Sequence, residues 1–193
     1  MTSTATDSKP RTADEMTAWL SGKLRQIQAG WPQHLVLDGS GADSQAAWII
    51  RALPAAAKQS GFAYLSLDQP SPMAHPLEHL TERFLTLADR SGQVLVPRDQ
   101  HNPYLRFAGA VSAACRTQVR PILISMTDAD AVRRHPDGIN ILSALRAALN
   151  EAQGSISALF LLRTSEGRGQ FLADALSPFY GFATPLHLRT ELG

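Results

Sequence analysis

Residues His34 to Arg51 read HLVLDGSGADSQAAWIIR: a short apolar run, a glycine-containing turn, then apolar residues at helical spacing. The run His34-Leu35-Val36-Leu37 is continuous rather than alternating, the pattern of a strand buried on both faces of a parallel sheet. Beyond the turn, Ala46, Ala47, Ile49, Ile50 and Leu53 share one helical face. Asp43 or Ser44 is expected to cap that helix, and Pro54 to interrupt it. Strand, glycine turn and helix in immediate succession form the repeating unit of an α/β fold.

The same alternation continues in both directions. Upstream, Thr12-Ala13-Asp14-Glu15 offers a cap and an acidic first turn, followed by Met16, Trp19, Leu20, Leu24 and Ile27 at helical spacing up to Gly30. Downstream, strands are predicted at 62–68, 121–126, 156–162 and 184–188. Between them lie helices carrying Leu77, Leu80, Phe84, Leu85 and Leu87, then Tyr104, Leu105, Phe107, Ala108, Val111 and Cys115, then Ile139, Ile141, Leu142, Leu145 and Leu149. A turn over 163–169 is expected to precede a last helix at 170–176. Residues 88–103 read as an irregular excursion with a short strand at Val94-Leu95-Val96. Five apolar strands separated by helices predict a three-layer sandwich: a mostly parallel five-stranded sheet between helices. The polar residues 1–12 are expected to be a disordered tail, and 13–193 one domain.

Composition narrows the functional classes. With 44% apolar residues in 193, the chain can build a full core. Eighteen basic residues against 17 acidic ones, net +1, provide no global field toward nucleic acid or membrane. The single cysteine, Cys115, has no internal disulfide partner and is expected to be a small buried thiol, which suits a reducing cytoplasm. No run reaches the ~20 apolar residues of a membrane span.

Set against the phosphate-loop pattern G-x-x-x-x-G-K-[ST], the stretch from Gly39 gives Gly39, Ser40, Gly41, Ala42, Asp43, Ser44, Gln45 and Ala46. That pattern works because glycines let backbone N–H groups surround a phosphate, the Lys neutralises it and the hydroxyl holds Mg²⁺. Here the strand–loop–helix layout is kept while the second glycine, the Lys and the hydroxyl are Ser44, Gln45 and Ala46. Ligands of open α/β sheets bind beyond the carboxyl ends of the strands. The candidate positions are therefore 38–45, Asp68, 127–130 and 163–169.

The order of this loop, P-I-L-I-S-M-T-D-A-D from Pro121, L-F-L-L-R-T-S-E-G-R-G from Leu159 and S-P-F-Y-G-F-A-T from Ser177 resembles the AAA-like P-loop ATPases of the archaeal-type and STAND-related group. The resemblance spans about residues 15–190 and is sharpest over Ser177-Pro178-Phe179-Tyr180-Gly181 and Ala183-Thr184. It implies ATP and Mg²⁺ as cofactors and a polar sensor pair, which falls on Thr164 and Ser165. It also shows departures. The metal-holding Asp of the third strand falls on Thr127 and the catalytic Glu on Asp128, the one weak catalytic candidate. The Arg expected within G-R-A-T is Phe182, and the usual helical lid is expected to be absent.

A lost Lys-to-phosphate contact is worth about 1.5–3 kcal/mol. A carboxylate such as Asp38 or Asp43 about 5 Å from a phosphate costs about 3 kcal/mol at an effective dielectric near 20. The expected function is a degenerate domain, a pseudo-ATPase acting as a binding, scaffolding or regulatory subunit. Its partner would be an active ATPase relative or a larger assembly, with nucleic acid contacted only indirectly. The alternatives are a divergent ATP-binding protein or slow ATPase using Asp128, and a nucleic-acid accessory factor.

Blander readings stand beside these. Gly39-Ser40-Gly41 alone is a common tight turn, and Arg133-Arg134-His135 and Arg163 with Arg168 read as solvated groups that are also able to meet phosphate. The six histidines lack metal-ligand spacing: His75 and His79 are separated by Pro76 without a third ligand. A hydrolase order of Ser40, Asp128 and His187 fails the G-x-S-x-G elbow, since Asp38 stands two residues before Ser40.

Overall fold

The computed structural model describes residues 12–30, 33–68, 75–89, 101–127, 129–152, 154–175 and 177–188. Helix α1, Ala13–Gln28, opens with a reciprocal cap: Thr12 Oγ1 accepts from the Glu15 amide, and Glu15 returns its carboxylate to the Thr12 amide. Strand β1, His34–Asp38, is buried throughout and leads into α2, Asp43–Gln59. Then come β2, Ala63–Ser66; α3, Pro76–Asp89; α4, Pro103–Thr117; and β3, Ile122–Met126. A short α5, Ala129–Arg134, precedes α6, Gly138–Glu151, and β4, Ile156–Leu162. The chain closes with α7, Ser165–Arg168, a π-helical turn over Gly169–Ala173, and β5, Thr184–His187.

The five strands form one all-parallel sheet in the order β2-β3-β4-β1-β5. The strand residues divide by parity, because successive side chains leave a strand on opposite faces. Leu35, Leu37, Leu123, Leu159 and Leu161 pack against α1 and α2. Val36, Ile122, Ile124, Ile156, Ala158, Phe160 and Leu162 pack against α3 to α6. The three central strands β1, β3 and β4 are buried at every position, which is why their apolar runs are nearly continuous, whereas the edge strands β2 and β5 are only partly buried. The three-layer α/β expectation holds.

Some local expectations need correction. Helix α2 runs through Pro54, and its N-cap is Ala42 with no side-chain cap, so neither Asp43 nor Ser44 plays that role. Leu53, Ala56 and Ala57 on either side of Pro54 are buried, so packing holds the helix across the missing amide. Ile139 and the α4 residues Tyr104 and Leu105 are exposed rather than inward, and Cys115 is half-buried. The last helix starts earlier than expected, at Ser165, where Thr164 Oγ1 accepts from the Gly167 amide. It widens into the π turn through the Asp174 amide donating to Gly169 O at 3.0 Å. That widening lets Phe171 stack on Phe179 at 4.9 Å, against Phe160. The expected strand at Val94-Leu95-Val96 lies outside the described residues.

Candidate functional site

β1 lies between β4 and β5, so its carboxyl end faces the carboxyl ends of both: Asp38 pairs with Leu162 on one side and His187 on the other. The loop that follows is four residues long, Gly39 to Ala42, because α2 has already begun at Asp43. The Gly39 amide donates to Leu162 O at 2.9 Å, the Ser40 amide to Asp38 Oδ1 at 3.1 Å, and the Ala42 amide to Gly39 O at 3.0 Å. Gly41 takes φ +70, which closes the turn. A side chain at Gly39 would meet Leu162 O at 3.1 Å and Ala46 Cβ at 3.2 Å, so strand, loop and helix are in close contact there. Three of the four loop amides thus already have protein acceptors.

The Asp38 carboxylate gathers the remaining donors. Only 4% of Asp38 is exposed, and it accepts from Ser40 Oγ at 2.6 Å and His187 Nδ1 at 2.8 Å, with Arg168 Nε at 3.4 Å. Burial by itself raises a carboxyl pKa, but the Ser40 and His187 hydrogen bonds and the Arg168 charge outweigh it and hold Asp38 below its ordinary value. Asp38 is thus an ionised carboxylate at the end of β1, immediately before the loop. Ser40 and His187 both donate to it, so Ser40 Oγ is not on the imidazole, and no Ser–His couple of the hydrolase kind forms.

The other expected site residues separate into those near this cluster and those tied elsewhere. Gln45, at the Lys position, is half-buried and accepts from Ser44 Oγ at 2.7 Å, while Ala46 is buried beneath Gly39. Thr164 and Ser165 stand just beyond β4, and Ser165 lines a depression of about 420 Å³ with Arg168, Gly169, Ala173, Pro185 and His187. Thr127, at the metal-holding position of the third strand, is bound by Asp68: its amide and hydroxyl both donate to Asp68 Oδ1, at 2.6 and 2.8 Å. Asp68 joins the ends of β2 and β3 and is not directed to the loop. Asp128 lies outside the described residues. Among the described residues no three His, Cys, Asp or Glu side chains gather as a metal site, and no helix is long and apolar enough to cross a membrane.

The segment Ser177 to Ala183 lies at the opposite, amino edge of the sheet, before β5 begins. Phe182 stacks on His34 at 4.6 Å and lies under the Arg146 guanidinium at 5.2 Å, while Phe179 is fully buried and Tyr180 exposed. Sequence reasoning had named Asp38, Arg168 and His187 singly and missed their union. Arg168 and His187 are far from Asp38 in the chain, and only the placing of β4 and β5 on either side of β1 joins them.

No protein-family model and no curated protein matches the chain. Among solved structures, it is similar to the Orc1 protein of Aeropyrum pernix determined in complex with DNA, with a TM-score of 0.54 and 16% sequence identity. The match covers 93% of this chain and 46% of that one, so this chain spans less than half of its length. The likeness supports an AAA-like P-loop fold for the whole described chain.

Proposed function

We propose that this chain is an AAA-like domain whose nucleotide site is closed, and that it works as a binding or regulatory subunit rather than as an ATPase. One observation carries the reading. Three of the four amides of the loop after β1 donate within the protein, to Leu162 O, Asp38 Oδ1 and Gly39 O, with the Asp38 carboxylate buried beside them. Opening the loop to a triphosphate would break these bonds and set Asp38 against a like charge. Catalysis of phosphoryl transfer also requires charge positioned on the transferring group, and neither Gln45 nor Ala46 supplies it.

A role in docking is supported by what remains exposed at the same edge. Tyr104, Leu105 and Ile139 stand at the starts of α4 and α6, at 39%, 58% and 40% exposure. Exposed apolar side chains of this size are those that protein interfaces cover. The partner we propose is a protein, an active relative or a larger assembly, with nucleic acid reached through it. The near-neutral net charge agrees with an indirect contact.

The test is steady-state release of phosphate from Mg-ATP by the purified chain. The expected rate equals that of buffer alone and is unchanged in Asp128→Ala. Turnover that Asp128→Ala abolishes would replace this reading with that of a slow ATPase.

A further inference from the structure

The depression beside the closed loop has a chemistry of its own. Its lining combines the small or compact residues Gly169, Ala173 and Pro185 with the polar side chains of Ser165, Arg168 and His187. Arg168 and His187 are held from behind by one buried carboxylate. Arg168 Nε and His187 Nδ1 are the atoms facing Asp38 Oδ2, at 3.4 and 2.8 Å. The outer nitrogens, the two Nη of Arg168 and Nε2 of His187, are left for the depression, and the two side chains are 51% and 44% exposed. Asp38 is itself anchored by Ser40, so both heads meet one held carboxylate.

We infer that this depression binds the phosphate of a small phosphomonoester. An imidazole that donates Nδ1–H to a carboxylate presents Nε2 as an acceptor while neutral. Arg168 beside it offers only donors. The complement of one acceptor next to a fork of donors is a group with an O–H and anionic oxygens on the same atom. A phosphomonoester monoanion is such a group: its P–OH donates to Nε2, and its remaining oxygens accept from the guanidinium. Phosphodiesters, including the backbone of nucleic acids, have no P–OH and satisfy half of this arrangement. The Ser165 hydroxyl, on the same wall, is able to donate or accept as the ligand requires.

This site uses none of the loop amides and does not depend on the absence of ATPase activity. It is tested by long-range proton–nitrogen NMR of the histidine side chains in the full ¹⁵N-labelled chain, His187 being assigned with His187→Gln. Inorganic phosphate, glycerol 3-phosphate and dimethyl phosphate are titrated in turn. The expected result is movement of the His187 nitrogens with the first two and not with the diester, and binding weaker by about tenfold or more in Arg168→Gln. Arg168 is half exposed and that variant keeps the Asp38–His187 bond, so it remains folded. No movement with phosphate, equal binding of the diester, or unchanged affinity in Arg168→Gln would overturn the inference. Binding of Mg-ATP that persists in Arg168→Gln would instead contradict the closed-loop reading and leave this one standing.

Discussion

At the scale of single residues, His34 and Asp38 show one physical cause with two outcomes. Both lie on β1, and both are buried. His34, at the amino end, meets a backbone amide and an aromatic ring: its Nδ1 accepts from the Ala158 amide at 3.2 Å, and Phe182 covers its face. Burial without a counter-charge lowers its pKa to about 4. Asp38, at the carboxyl end, is buried among donors and is held ionised. The His34 shift has a definite sign. The unfolded chain takes up a proton near pH 6.5 that the folded chain refuses until about pH 4, so the contribution is complete above pH 6.5 and is lost as pH falls toward 4. At full size this is about 3 kcal/mol, from ~1.4 kcal/mol per pKa unit. Urea unfolding from pH 7 to 4.5 should show a steeper loss of stability in the unmodified chain than in His34→Gln. Parallel curves would remove His34 from the account.

At the scale of elements, most of the architecture was legible because burial on both faces of the central strands favours apolar residues at most of their positions. HLVL, PILISM and ISALFLL announce themselves in this way. Where packing overrides local chemistry, legibility ended. Pro54 reads as a stop, yet α2 continues because Leu53, Ala56 and Ala57 hold it to the sheet. The π turn at Gly169–Ala173 has no local signature, and it goes together with the stacking of Phe171 on the distant Phe179. Gly138 is a further position of this kind. It opens α6 at ordinary helical geometry, but a Cβ there would meet Val132 O at 2.3 Å and Arg133 O at 2.8 Å. Both obstacles are backbone, so α5 or α6 would have to move. Gly138→Ala is therefore expected to cost about 1–3 kcal/mol by overpacking, despite the better helix propensity of Ala. Chemical denaturation measures this directly, and an unchanged or stabilised variant would mean that α5 gives way without cost.

At the scale of the whole molecule, the sheet order decides what the site is. The sequence alone located a loop with the wrong residues for phosphate, and the resemblance to AAA-like ATPases located the sensor pair. What it could not reveal was the replacement, because Asp38, Arg168 and His187 meet only when β4 and β5 flank β1. The same is true of Thr127, which Asp68 reaches across the ends of β2 and β3. At the ends of β1 and β2 two carboxylates bond to neighbouring donors, Asp38 to Ser40 and His187, and Asp68 to Ser66 and Thr127.

The central claim is that the loop is closed by its own carboxylate. Calorimetric titration of the full chain with Mg-ATP and Mg-ADP, repeated on the chain carrying Asp38→Asn with Asp43→Asn, tests it most directly. The closed loop predicts no binding heat in the unmodified chain at concentrations where nucleotide-binding domains saturate. The double variant, freed of two like charges and of the strongest acceptor of the loop donors, is predicted to bind more tightly than the parent. Micromolar binding by the unmodified chain, undiminished or weakened in the double variant, would contradict it.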